Sequence, residues 1–581
     1  LIFNTMMIAV AERRRELGIL RSAGMRRGEV LRLVLLESVL LGAVGSIAGI
    51  PLGIAFANAL SAPFSAEVTR RFLPVEAPAV VLRPMPVVLG VALGTVSALF
   101  AALLPAREAI RVQPVEALRA AAPESPAGGR RTALVGAAIL PLGLAIWVAR
   151  DGLPFAAASS GAIATLVWLV GFSLLTPLAV RAIAKRSEPL LDRVVGPLAA
   201  FTSRNLALRA RRLGIPSAAF VMTLAGAMVT ATFAASVEHT LHAFLATRLE
   251  PFDLQVTSGS GFLSEDARPL APALPEEIAS LAGVARVDVG RELRVPHEGS
   301  ATILVASDGE LFRRGVQRLD FVAGDPTAAI DAMARGEAVI TSEIFLRRAG
   351  KTIGETISLK TPSGEVHLPI AGVHLDMREL GVVLIDRRLY RRLWRDDAVS
   401  SIQVALRPDA DRGQIVREIR RRWGERHGLF VLTTGQIRSE SVALMKRAFA
   451  GAHSLTIVTL AIALLGIVNS LVASVLDRTR ELGVLRAVGA TRGQVARSVL
   501  LESGLVGFAA AALGITAGSI VSRTEVDIVL REMVGLTVLY DYPAGTAVVG
   551  FVASILLATL AGFFPARGAA RVNVIRALEY E

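Results

Sequence analysis

Eight stretches of about 18 to 25 residues carry no Asp, Glu, Lys or Arg, at about 38–60, 85–104, 132–149, 160–180, 215–237, 452–476, 503–522 and 545–564. A helix of that length spans the hydrocarbon core of a bilayer. One such run reads equally well as a buried core helix, but eight do not, so the pattern predicts a multi-pass membrane protein. Residues 1–10 read as the last turns of one more helix. Between the fifth and sixth runs the pattern changes. Alternating or β-branched segments predict strands near 253–257, 286–288, 302–306, 338–341, 356–360, 366–373, 382–386 and 402–406, with helices near 275–281 and 412–426, hence a mixed α/β domain. From about Thr434 to Ser474 only Gly435, Gly451 and Gly466 interrupt the helix formers, which predicts a long stalk helix.

Charge orients these spans. Only 19% of the 581 residues are charged, against roughly 25% in soluble chains, and 53% are hydrophobic. The net charge of +13 would suit nucleic acid, but its distribution argues for a membrane instead. Arg is dense in 13–32, 107–131, 181–212, 478–497 and 567–576, and threading the spans in order puts all five on one side. Short basic loops stay in the cytoplasm. The C-terminus is therefore expected inside, and residues 238–451 outside. The chain has no cysteine, which rules out disulfides and thiolate metal sites.

An internal repeat sets the organisation. Glu12–Gly42 and Asp477–Gly507 are identical at 19 of 31 positions without gaps, and Pro105–Arg119 pairs with Pro565–Glu579. Each unit reads as helix, basic segment, helix, outer loop, helix and a Pro-Ala-Arg tail. The second unit is preceded by helix 215–237 and the α/β domain. By symmetry the first is expected to have equivalents upstream of Leu1, so the chain reads as N-terminally truncated. The runs at 132–149 and 160–180 have no counterpart and read as a linker.

Within each repeat the order R-E-L-G-x-L-R-x-x-G recurs. Gly489 suits a helix C′ position because it tolerates positive φ. Thr491 with Gln494 forms a capping box for the next helix; the first copy keeps Gly24 and Glu29 but has Arg26 at the cap, predicting a weaker cap. The product is a sharply bent elbow presenting Leu and Arg to whatever lies below. The following helices carry small residues every fourth position, Gly45, Gly49 and Gly53 in one copy and Ala510, Gly514 and Gly518 in the other. This is the spacing of close helix packing in lipid. Glu37 and Glu502 occupy matching positions and read as structural ion-pair partners.

What the sequence lacks narrows the function. No span holds an ionisable group of the kind that marks a proton or ion pathway, which disfavours a secondary transporter. Gly350-Lys351-Thr352 ends like a P-loop, but Phe345 stands where the motif requires glycine, so the triplet reads as a turn. No catalytic or metal-type constellation appears. His453 reads as interfacial, and His367 and His374 as members of a polar face.

The two elbows, their tails, the segment Ser203–Arg212 (SRNLALRARR) and the stretch Gly336–Val373 together resemble the FtsX-like, MacB-like permease family of ABC transporters, in its ten-helix duplicated form. The resemblance implies an α-helical polytopic membrane protein with two repeated FtsX-like permease units plus a mixed α/β extracytoplasmic domain. The boundaries expected are 1–119 and 441–581 for the permease units and 120–200 for the linker. The leading helix is expected at 201–240 and the MacB-like core domain at 241–440. It further implies a bacterial inner membrane location and two copies of a separate cytoplasmic ATPase carrying ATP and Mg. The elbows facing that ATPase would be formed by Glu16, Leu17, Gly18, Arg21 and Gly24 and by Glu481, Leu482, Gly483, Arg486 and Gly489. No enzyme activity and no cofactor are expected in this chain itself. Export or extraction of a lipid, lipoprotein, peptide or hydrophobic compound, with a periplasmic adaptor as further partner, stands against a signalling role that activates a cell-wall hydrolase. The tails depart from the family at one point, Pro114 in the first being matched by Val574 in the second.

Overall fold

A computed structural model describes residues 14–71, 84–111, 127–149, 157–194, 196–249, 251–258, 269–376, 378, 380–424, 428–477, 479–528 and 538–571. The expectations for residues 1–10 and for Pro114 and Val574 lie outside them.

The first six helices are α1 (Arg14–Ser22), α2 (Arg27–Arg71), α3 (Pro84–Arg111), α4 (Ala127–Val148), α5 (Ala157–Val194) and α6 (Pro197–Leu249). The α/β segment follows with β1 (Leu254–Thr257), α7 (Leu274–Ala279), β2 (Val284–His297), β3 (Ser300–Ser307), α8 (Gly309–Arg313), β4 (Phe321–Ala323) and α9 (Pro326–Ala334). It continues with β5 (Val339–Ser342), α10 (Glu343–Ala349), β6 (Thr356–Thr361), β7 (Gly364–His374), β8 (Val382–Asp386), α11 (Arg387–Trp394), β9 (Ser401–Leu406), α12 (Arg412–Ile419) and β10 (Phe430–Thr433). The last helices are α13 (Thr434–Asp477), α14 (Thr479–Ala487), α15 (Arg492–Glu525), α16 (Ala544–Ala561) and α17 (Phe563–Ala570).

All eight apolar runs fall in helices. Among the described residues six helices are long and apolar enough to cross a membrane, while α4 and α13 contribute the shorter apolar stretches Leu134–Val148 and Thr456–Val472. The chain divides into two compact units: residues 1–231, 450–524 and 543–581, and residues 232–449 with 525–542. Helix α6 runs unbroken past the end of its apolar run at Val237. Charge enters at Glu238, but no helix breaker does, and Leu241, Phe244 and Leu245 give the extension an apolar face to bury. The predicted end of this helix near 240 is therefore too early.

In the first unit, α5, α6, α13, α15 and α16 share one apolar core that includes Phe172, Phe220, Ile467, Val506 and Ala558. Helix α4 packs on α5, where the Trp168 indole donates to the Leu140 carbonyl (3.1 Å). The repeat has a structural counterpart. A Cβ added at Gly42 would lie 2.7 Å from Ala98 Cβ, and one at the matching Gly507 would lie 2.4 Å from Ala558 Cβ. Each pair of post-elbow helices thus crosses at the same small-residue contact, because without a hydrophobic drive in lipid it is backbone approach that gains dispersion energy.

The second unit is built on one ten-stranded sheet, ordered β10-β1-β9-β2-β3-β8-β5-β7-β4 with β6 on β7. Strand β2 divides it. Residues Val284–Gly290 pair with β9, whereas Arg291–His297 pair with β3. Two lobes result: one on β10-β1-β9 with α7 and α12, the other on β3-β8-β5-β7-β4 with α8–α11, each with its own core. Strand β8 is buried at every residue, as a continuous apolar run in mid-sheet should be. The eight predicted strands are present. Strands β4 and β10, at three and four residues, stand outside the predicted set. Helix α12 gives way at Arg420 to a turn of π-helix through Gly424.

Candidate functional site

The two elbows have matching backbones. Helices α1 and α14 occupy equivalent repeat positions, and both end in a Schellman turn. In one, Gly24 (φ +101°) donates to the Arg21 carbonyl and Met25 to that of Leu20. In the other, Gly489 (φ +110°) donates to Arg486 and Ala490 to Leu485. The next helix is capped as its sequence requires. The Thr491 N–H donates to Gln494 Oε1 (2.8 Å), and the Gln494 N–H to Thr491 Oγ1 (3.3 Å). In the first copy only half of this box forms, Arg26 N–H to Glu29 Oε2 (2.8 Å), because arginine offers no acceptor.

Burial decides which elbow residues can meet a partner. Leu482 is only 2% exposed and packs with Val495, Val499, Ala566 and Ala569, so α14 is held against α15 and α17. The expectation that Leu482 is presented outward is corrected: as the inner face of a nine-residue amphipathic helix, it supports the elbow. Gly483 is buried beside it, Arg486 is half-buried and Glu481 is exposed. The outward apolar residues are Val484 and Val488, 44% and 84% exposed, and in the first copy Ile19 and Leu20, 58% and 40% exposed. Glu16 and Gly24 are exposed and Arg21 half-buried, while the side-chain surroundings of Leu17 and Gly18 lie outside what the structure describes. Val488 was missed in the sequence because a lone apolar residue at a turn has no periodic signal.

The small-residue stripes differ between copies. Gly514 and Gly518 meet α6: added Cβ atoms would lie 2.7 Å from Leu224 Cβ and 2.5 Å from Met228 Cβ. Ala510 is fully buried in the same core. Among the described residues nothing lies within 4 Å of the Cβ position at Gly45, Gly49 or Gly53, so the close packing expected there is not seen among them. The second copy has α6 to fill its stripe, and no described helix takes that place on α2. Glu502 is buried and Glu37 half-buried.

In the second unit, the feature sequence reasoning missed is a buried ionic cluster. Asp376, just past β7, accepts from Arg248 Nη2 (2.7 Å), from Arg378 Nε and Nη2 (2.9 and 2.8 Å) and from the Arg378 N–H (3.0 Å). Arg378 Nη1 also reaches Glu292 Oε1 (3.1 Å). Burial alone would raise the Asp376 carboxyl, but the Arg378 and Arg248 guanidiniums outweigh it and hold the group far below the usual carboxylate range. Arg248 lies 128 residues before Asp376 and Glu292 is likewise far from Arg378 in the chain, so no local motif announces them.

His374 lies beside this cluster and is buried, which corrects the polar-face expectation. His367 and His374 sit seven apart on β7, with a register shift between them at Ile370–Gly372, and His367 is exposed while His374 is buried. Burial pushes the His374 imidazole down to about 4, and its Nδ1 lies 2.9 Å from the Leu375 carbonyl. An unfolded histidine takes its proton near 6.5. Between those values the unfolded chain binds the proton and the folded chain does not, so stability present above pH 6.5 is lost as pH falls toward 4. Protection of the slowest-exchanging amides of β5 and β8 is expected to drop about 40-fold from pH 6.5 to 4.5, after correction for intrinsic exchange rates. His374→Gln should remove most of that drop, and equal pH dependence in both proteins would contradict the assignment.

The remaining sequence candidate resolves simply: Gly350 (φ +61°) is the C-cap of α10, so Gly350-Lys351-Thr352 is a helix-ending turn. Among the described residues no His, Cys, Asp or Glu group is arranged to hold a metal.

Comparison with known proteins gives consistent matches. A family model described as FtsX-like permease C-terminal matches residues 1–114 and 454–574, and one described as MacB-like periplasmic core domain matches 216–422. An ABC transporter permease protein of Mycobacterium tuberculosis is 27% identical over all of this chain and 68% of its own length. The macrolide export ATP-binding/permease protein MacB of Sodalis glossinidius is 27% identical over 58% of this chain and 53% of its own. The chain thus aligns with about two thirds of one relative and about half of the other. The solved periplasmic region of MacB from Actinobacillus actinomycetemcomitans aligns over 34% of this chain at 13% identity with a TM-score of 0.25, a likeness too slight to build on.

Proposed function

This chain belongs to the FtsX-like, MacB-like permease family of ABC transporters, and on that premise we propose that it is a membrane-spanning subunit driven by a separate ATPase. The elbows at Gly24 and Gly489 receive nucleotide-driven movement from two cytoplasmic ATPase subunits, which carry ATP and Mg. Helices α6 and α13 pass that movement to the α/β domain on the other side of a bacterial inner membrane. The C-terminus and elbows are cytoplasmic in this reading, and residues 238–451 extracytoplasmic. The work done is export or extraction of a lipid, lipoprotein, peptide or hydrophobic compound.

The observation that carries the reading is the pair of matched elbows, each closed by the same Schellman turn and each exposing apolar side chains at its tip. A loop that served only to set orientation would need its arginines, not a repeated backbone geometry. A burst of exposed valine and isoleucine between charged residues suits a shallow protein contact. Val488→Glu is expected to reduce ATPase co-purification at least tenfold, since a desolvated carboxylate would sit where an apolar side chain docks. Insertion and α/β-domain folding should be unchanged. Full co-purification would contradict the docking role.

A further inference from the structure

The ionic cluster lies where three parts of the second unit meet. Arg248 is the penultimate residue of α6, and its guanidinium lies over the Phe244 ring, 5.0 Å from the centroid. Five residues past Leu249 the chain enters β1, so α6 joins the first lobe through the backbone. Helix α13 joins that lobe too: β10, which precedes it, pairs with β1, the Thr434 hydroxyl donates to the Phe252 carbonyl (2.6 Å), and the Thr434 N–H to that of Asp253 (3.0 Å). The apolar side chains near the tip of α6, Leu245 and Leu249, pack with Ile437 of α13 and Leu432 of β10, whereas its polar side chains reach the second lobe or its entry. Asp376 and Arg378 follow β7, and Asp320 precedes β4 and accepts from the Thr247 hydroxyl (2.8 Å). Glu292 stands two residues past Gly290, where β2 leaves one lobe for the other.

One strand, β2, bridges the lobes, with glycine at its crossing; the chain also recrosses between α11 and β9, and Gln317 Nε2 donates to Gln403 Oε1 across the joint (3.1 Å). Arg291 bonds Asp396 (3.0 Å) and Ser400 (3.0 Å), and the Glu292 N–H donates to the Ser400 hydroxyl (3.0 Å). A two-lobed domain joined this way can rotate at Gly290 unless something spans the joint. The Arg248 guanidinium spans it. Asp376, with no side-chain exposure, receives one guanidinium from α6 and another from its own lobe, so the contact resists shear in a way one surface ion pair does not.

We propose that Thr247 and Arg248 form a positioning clamp that fixes the second lobe to α6, so that this lobe follows the helix when it moves and does not swing freely about Gly290. The consequence for transmission rests on the coupling reading above. Without the clamp, movement of α6 would reach only the first lobe, to which α13 is also fastened, and the second lobe would lag behind. Both act by holding Asp320 and Asp376 in place.

The natural absence of cysteine makes the test direct. Spin labels are attached at Glu276→Cys on α7 and Glu337→Cys beyond α9, both exposed and one on each lobe, in the full chain with its ATPase partner in nanodiscs. Without nucleotide, the inter-lobe distance distribution is expected to be narrow. It should at least double in width in Arg248→Gln, widen less in Thr247→Val, and stay narrow in Arg248→Lys. Protection of the β5 and β8 amides should remain as in the parent, which separates lost positioning from lost folding. Unchanged widths in both Arg248→Gln and Thr247→Val would overturn the clamp. With nucleotide, the inter-lobe distance of the parent should hold, since both lobes follow α6, whereas in Arg248→Gln it should shift as the second lobe lags. No nucleotide-dependent shift in Arg248→Gln would count against the coupling reading, while the nucleotide-free widths would still decide the clamp.

Discussion

Gly489→Pro is expected to abolish stimulation of the partner ATPase, by at least tenfold, while the chain still inserts and its α/β domain still folds. Gly489 sits at φ +110° and its N–H donates to the Arg486 carbonyl at 3.1 Å. Proline fixes φ near −65° and has no N–H to give, so both the left-handed turn and the Schellman bond are lost. Helix α14 could then no longer stop at Ala487, and Val488 would leave its exposed corner. The damage stays local, since nothing lies within 4 Å of a Cβ placed at this glycine. Gly489→Ala offers a graded version: it retains the N–H and costs about 1–2 kcal/mol of backbone strain, so stimulation should fall but persist. The check is nucleotide hydrolysis by the partner in nanodiscs, with and without the permease. Full stimulation by the proline variant would show that the elbow shape does not matter.

A second large effect is expected at Gly518, where the interface is backbone against backbone. A Cβ there would lie 2.5 Å from Met228 Cβ, 2.8 Å from the Ala225 carbonyl oxygen and 3.0 Å from its Cα. Met228 can turn aside but the Ala225 backbone cannot, so α6 and α15 must separate along their shared face. Gly514, one turn away, is in similar contact with Leu224 and the Val221 carbonyl. Overpacking typically costs about 1–3 kcal/mol, and parting two helices forfeits the dispersion contacts that hold them together in lipid. Gly518→Val is therefore expected to lower the thermal midpoint of the detergent-solubilised chain by several degrees and to broaden its gel-filtration profile. The matching change in the other copy, Gly53→Val, meets nothing within 4 Å and should leave both unchanged. Equal effects at the two sites would show that the repeats pack alike and that the difference between them is wrong.

The parts of this molecule that sequence made legible are those governed by local rules. The spans were readable because a bilayer demands about 20 uncharged residues in a row. The elbows were readable because a helix must satisfy its terminal groups, and glycine, threonine and glutamine at fixed offsets do so. The strands of the α/β domain followed from alternation. What stayed hidden depends on partners distant in sequence. Nothing about Leu482 says that it faces inward until α17 is laid against α14. Gly49 and Gly514 occupy matching places in the repeat, yet among the described residues only Gly514 has a helix across from it. Arg248 lies 128 residues before Asp376, and each alone reads as an ordinary surface charge. The short helices α8 to α11 also escaped, although Asp308, Asp325, Ser342 and Asp386 cap them in regular fashion.

The central claim is that both elbows dock onto an ATPase, and site-specific photocrosslinking tests it most directly. A benzophenone amino acid placed at Val488, and separately at Ala23, stands at exposed positions that correspond in the repeat. The chain is co-expressed with its ATPase and irradiated in membranes with and without a non-hydrolysable nucleotide. Each position is expected to yield an adduct with the ATPase, changing in amount with nucleotide, while the same probe at exposed Glu276 on α7 yields none. Absence of adducts from both elbows, with the ATPase still co-purifying, would place the contact elsewhere and contradict the account.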